Sequence, residues 1–146
     1  MLTLKGKWYI SLYGADGELK DYREGENVIT ESGLDFLASF LVSANAAAST
    51  FTMGYIAIGT DSTAEAASNT ALGTEAARHT GTVSHSSDNI YKVTATFASG
   101  LGTGAIVEYG LFSSNTGGTM LNRDTESVVN KGADDVLTVT TEITFS

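Results

Sequence analysis

The segment DVLTVTTEITF, residues 135–145, alternates without a break. Leu137, Val139, Thr141, Ile143 and Phe145 fall on one side, and Thr138, Thr140, Glu142 and Thr144 on the other. Successive side chains of a strand point to opposite faces, so this segment offers one face to a core and one to solvent. The same habit returns in TGTVSHSS, NIYKVTATF, GAIVEYGLF and TMLNRDTESVVN, which are separated by Gly, Asn or Asp turns. An antiparallel meander over residues 80–146 is therefore expected. Thr, Gly and Ser make up about a third of the chain, which suits strands and turns. Proline is absent, so glycine and Asx residues must supply the turns.

Upstream, KWYISLYGADGELKDYREGENVIT sets Trp8, Ile10 and Leu12 against Tyr9, Ser11 and Tyr13, then turns through Ala15, Asp16 and Gly17. It predicts a hairpin over 7–30 with one wet face. The period then changes: Leu34, Leu37 and Leu41 recur with Phe36 and Phe40 at three- and four-residue spacing, and Thr30 or Ser32 can cap the start. One helix is expected over 32–44, followed by a loose Ala/Ser connection to Thr50. FTMGYIAIG reads as a short strand with Ile56 and Ile58 on one side, and the polar stretch 60–80 as a connection with room for a helical turn. Together these elements predict an all-β chain with one helix. The expected form is an antiparallel β-sandwich or jelly roll in a single domain spanning 1–146, with the helix packed at one edge or end.

Charge and composition narrow the partners. A net charge of −9 with no basic stripe repels phosphate backbones, so nucleic acid is not an expected partner. No apolar run approaches the roughly 18 residues of a membrane helix, and none is expected to enter a membrane. The early charges of MLTLKGKWYISLYGADG differ from the uninterrupted apolar core of a signal peptide, and export by that route is not expected. Without cysteine there is neither a disulfide framework nor a thiolate metal site.

A search for chemistry returns little. His79 and His85 stand six residues apart around a turn, a spacing with no established metal geometry, and read as surface histidines. No serine sits in a G-x-S-x-G elbow, and the glycine-rich IAIGTD and GLGTGA lack the phosphate-binding frames. The acidic DGE (16–18 with Gly17 between) and ADD (133–135) fall short of a calcium loop and read as hairpin-tip carboxylates. No catalytic residue, metal ligand or cofactor is expected. Trp8, Tyr9, Tyr13 and Tyr22 are the interface candidates; Trp8 also suits the core, while Tyr9 and Tyr13 share the opposite, wetter face.

In VEYGLFSSNTGGTMLNRD, residues 107–124, two apolar strand halves flank a Gly-Gly turn, yet they carry Glu108 and Arg123. With the loop centred on Thr116 the paired residue numbers sum to 231 or 232, which sets Glu108 opposite Arg123 or Asp124. A cross-strand ion pair between Glu108 and Arg123 is expected, fixing strand register rather than performing acid/base chemistry.

The ordered series GENVITESGLDFLA, IGT, TALGTE, YKVTATF, EYGLF, GTML and NKG covers nearly the whole chain and resembles a group of small structural proteins of tailed-bacteriophage virions. What the resemblance implies is a β-rich, non-enzymatic virion component. Its foremost form is a capsid decoration (cement) protein on the outer surface of the head, made in the host cytoplasm and bound to the major capsid protein and to its own copies as a dimer or trimer. The alternative it implies is a tail-fibre, tail-tip or receptor-binding module. For such a role the first hairpin or the segment 1–6 is the expected docking element, by strand addition onto a partner. One departure from the family pattern is Glu126, where an apolar or aromatic residue belongs.

Overall fold

The computed structural model describes residues 3–42, 53–87 and 89–146. Nine strands and one helix follow in the order β1 (Leu4–Tyr13), β2 (Leu19–Ile29), α1 (Glu31–Val42), β3 (Tyr55–Gly59), β4 (Glu75–Thr80), β5 (Thr82–Ser87), β6 (Ile90–Phe97), β7 (Gly104–Phe112), β8 (Met120–Lys131) and β9 (Val136–Phe145). All strand pairings are antiparallel, and they join into a single sheet in the order β4-β3-β7-β8-β2-β1-β9-β6-β5. Its two outermost strands, β4 and β5, are consecutive in sequence and joined through Gly81, whose N–H donates to the Gly54 carbonyl at 2.7 Å. The sheet therefore curls until its ends meet and is nearly closed.

Alternation explains which side chains lie inside the curl. Trp8, Ile10 and Leu12 of β1, Val93, Ala95 and Phe97 of β6, and Leu137, Val139 and Ile143 of β9 face Ile56 and Ile58 of β3 and Ile106, Tyr109 and Leu111 of β7 in one core. Of the predicted inward set of β9, Leu137, Val139, Thr141 and Ile143 are buried and Phe145 is half-buried, while the outward threonines are half-exposed. Burying a side chain of this size stabilises by about 1.5–3 kcal/mol, so these alternating positions decide the strand facing.

The helix begins where a cap was predicted. Thr30 Oγ1 accepts the Gly33 N–H at 2.9 Å, and Thr30 itself is fully buried against β8. A Cβ on Gly33 would lie 2.7 Å from both Cα and O of Leu121, so only glycine lets the first turn rest on the β8 backbone. The expected helix of 32–44 is Glu31–Val42 within the described residues; its last two positions and the Ala/Ser connection to Thr50 lie outside them.

Two expectations are corrected. Residues 80–146 are not a meander: β5–β6 and β7–β8 are hairpins, but β9 leaves its chain neighbour β8 to lie between β6 and β1. The stretch 60–80 holds no helix; it is an irregular loop to Thr74 followed by strand β4. Strand addition through the first hairpin has one edge to use. From Gly6 to Tyr13 β1 is paired on both sides, by β2 and β9, whereas β2 meets β8 only at Val28↔Arg123 and Ile29↔Asn122, so its edge from Leu19 to Asn27 carries no strand partner. Leu4 to Gly6 are themselves paired with Phe145 to Ile143 at the end of the β1–β9 ladder. Among the described residues no helix is long and apolar enough to cross a membrane.

Candidate functional site

Glu108 and Arg123 do form an ion pair, and both are buried, with side-chain exposures of 0% and 2%. The predicted register is off by one to two residues. Glu108 lies opposite Thr125 and Arg123 opposite Gly110, because the irregularity at Leu111/Phe112, between the turn and the pair, shifts the ladder. The two side chains therefore meet diagonally on one face, within reach for long side chains. Arg123 Nε and Nη2 donate to Glu108 Oε2 at 3.2 and 2.9 Å.

The rest of both groups is occupied by the loop 60–74. Glu108 Oε1 accepts the N–H groups of Asp61 at 3.2 Å and Thr74 at 2.8 Å, and Oε2 accepts that of Gly73 at 2.9 Å. Arg123 Nη1 donates to Asn69 Oδ1 at 3.1 Å and Nη2 to the Thr63 carbonyl at 2.9 Å. Asn69 Oδ1 also accepts the Ala66 N–H at 2.8 Å, closing a turn inside the loop. The pair thus supplies partners to a segment that has no sheet of its own. The loop is largely exposed, but the N–H groups that meet Glu108 are partly buried, and leaving them unpaired would cost about a hydrogen bond each. Beneath the same loop a satellite core gathers Ala57, Leu72, Phe112 and Met120.

Arg78, which sequence reasoning missed, closes the other end of this face. It grips Glu75 with two 2.8 Å hydrogen bonds, donates to the carbonyls of Ser114 and Gly117 at 2.9 and 2.8 Å, and stacks 3.7 Å over the Phe112 ring. The i,i+3 spacing of Glu75 and Arg78 is the helix signature that hid the strand. A bulge opposite Ile58/Gly59 brings the two onto one side.

The interface candidates divide. Trp8 is fully buried, stacked obliquely 6.0 Å from Tyr109, and is corrected to a core residue: it lies on the inward side of β1. Tyr9, Tyr13 and Tyr22 share the outward face, since Tyr22 pairs with Ser11, which lies between the other two on β1. Tyr22 donates to Glu24 at 2.8 Å, and this bond, with Lys7 3.2 Å away, holds the Glu24 carboxyl below its ordinary range. Lys7 also sits 5.0 Å over the Tyr9 ring. The same face continues through the hydroxyls of β9 and β6, where Thr94 and Thr140 are hydrogen-bonded at 2.9 Å.

The remaining polar motifs are accounted for locally. His79 and His85 are exposed and lie on β4 and β5, at opposite ends of the sheet order. Asp16 Oδ1 accepts the Glu18 N–H at 3.0 Å in the first hairpin turn. Asp135 accepts Lys20 Nζ at 2.8 and 2.9 Å and the Gly132 N–H at 2.7 Å, and these donors hold its carboxyl below the usual range. Among the described residues no group of three or more His, Asp and Glu is arranged to hold a metal.

Fold and site together define a nearly closed antiparallel β protein whose one buried salt bridge, among the described residues, organises a covering loop. Comparison with protein-family models, with curated proteins and with solved structures finds no match to this chain.

Proposed function

We propose that this chain is a structural protein of a tailed-bacteriophage virion, a capsid decoration protein that stabilises the head by binding major capsid subunits and copies of itself as a dimer or trimer. In this reading it works from the outer surface of the shell, and the curled sheet is a β-sandwich whose two layers share β2. One observation carries the proposal beyond the resemblance: the outward face of β2-β1-β9-β6 collects Tyr9, Tyr13 and Tyr22 with an array of threonine hydroxyls. Tyrosine supplies large, rigid contact area at low entropic cost, and a hydrogen-bonded strand face presents it without rearrangement. The net charge of −9 suits a surface turned away from packaged DNA.

The same three tyrosines favour a second reading, a receptor-binding module of the tail, because aromatic rings on a polar face also stack on sugars. A binding experiment separates the two. Purified protein added to capsids stripped of decoration should bind in stoichiometric numbers and raise their heat resistance. Substituting Tyr9 and Tyr22 together with alanine should abolish that binding while the melting curve is retained. Failure of the unaltered protein to bind shells of any tested capsid, together with a handful of copies per virion, would contradict the decoration reading.

A further inference from the structure

Among the described residues six buried side-chain atoms have no hydrogen-bond partner: Trp8 Nε1, both amide atoms of Asn27, the Tyr109 hydroxyl, Asn122 Oδ1 and Asp124 Oδ2. They are not scattered. Trp8 pairs with Gly25 across β1–β2 and stacks near Tyr109, which pairs with Asp124 across β7–β8. Asn27 and Asn122 lie two residues from Gly25 and Asp124 on their own strands. All line one place, the seam where β2 parts from β8. The two strands are paired only at Val28↔Arg123 and Ile29↔Asn122. Past that point Gly25 lies over two carboxyl groups: a Cβ there would stand 1.6 Å from Glu126 Oε1 and 3.2 Å from Asp124 Oδ2. These buried polar groups thus gather where β2 offers no ladder partner to β8.

We propose that Asp124 and Glu126, both on β8, share one proton beneath Gly25 of β2, and that this proton lets β2 stay packed over the pair: when both carboxyls are ionised they must be hydrated, and the seam opens. Both crowd the same point beside Gly25, so Glu126 Oε1 and Asp124 Oδ2 are less than about 5 Å apart. The charges around them leave the proton as the natural third partner. Beside Asp124 stand Glu126 on its own strand and Glu65 from the loop 60–74, and both are acidic. Tyr109, whose buried hydroxyl has no partner, senses Asp124, Glu126 and Asp21 as like charges and only Arg23 as a cation. Arg23 is already engaged with Asp21, Ser127 Oγ at 2.7 Å and the Val128 carbonyl. Burial first, then Glu126, push the Asp124 carboxyl up to about 8.

The direction of the pH effect follows from linkage. Released from the fold, this carboxyl titrates near 3.8. Between that value and about 8 the closed seam holds a proton that the opened chain gives up. Its stabilising contribution is therefore complete below pH ~4 and is lost as pH rises through about 8, with the opening equilibrium shifting up to about tenfold per pH unit in that window. Trp8, the sole tryptophan, lies in the seam and reports on it by its fluorescence.

The test is a titration of the native protein from pH 4 to 9.5, following Trp8 emission and the ¹³C carboxyl resonance of Asp124. The expected result is one transition near pH 8 in both signals, with the Trp8 transition absent from D124N. A carboxyl resonance that titrates near pH 4, or a D124N protein with the same Trp8 transition, overturns the proposal. Should D124N fail to fold, the resonance of the unaltered protein decides alone.

Discussion

Glu108 and Asp124 are buried carboxyl residues on adjacent strands, one residue out of register across the β7–β8 ladder and on opposite faces of it. Glu108 accepts five hydrogen bonds, three from backbone N–H groups and two from a guanidinium. Asp124 has one oxygen with none, and its nearest charges are acidic. Burial penalises charge equally on both sides of the sheet. What differs is the supply of donors: the outer face receives a loop rich in free N–H groups, and the inner face receives the side of β2 that has left its ladder. The same residue class therefore serves as a fixed anion on one face and as a proton holder on the other.

The largest effect should come from breaking the satisfied site. Glu108→Ala leaves Arg123 buried without its anion and three loop N–H groups unpaired, a loss of about 3–5 kcal/mol. For a chain of this size that corresponds to a melting temperature lower by roughly 10 °C by calorimetry. A loss under about 1 kcal/mol would remove the distinction between the two carboxyls. At the unsatisfied site the effect should change with pH: urea unfolding of the unaltered protein should lose at most about 1.4 kcal/mol per pH unit between pH 5 and 8. In Asp124→Asn that slope should flatten, because the amide has no proton to release. An identical slope in both proteins would break the comparison from the other side.

Smaller changes sharpen it. Asn69→Ala removes one acceptor from Arg123 and opens the turn at Ala66, costing about 1–2 kcal/mol by chemical denaturation. Tyr22→Ala, on the exposed face, should leave the melting temperature unchanged within measurement error. It serves as the baseline against which the buried substitutions are read.

Legibility in the sequence follows the same divide between local and non-local information. The alternation of β9 and the capped helix start at Thr30 are local patterns, and both are found where the residues place them. An acid and a base inside an apolar hairpin announced a buried pair, because neither charge would be tolerated there alone. The register was hidden by bulges, which leave no mark in the hydrophobic pattern. The passage of β9 to β1 was hidden because strand order is set by contacts distant in sequence. EAARHT concealed β4, being made of helix-favouring residues that an edge strand tolerates. Glu126 stands beside Asp124 in the seam, a contact distant from anything the strand's own pattern could show.

Amide hydrogen exchange at Gly73 and Thr74 tests the assignment of Glu108 most directly, since both N–H groups lie in an irregular loop and donate to its carboxylate. Protection approaching that of β7 in the unaltered protein, lost in Glu108→Ala while β1 and β9 remain protected, is the predicted result. Exchange at the rate of a free loop in the unaltered protein would contradict it.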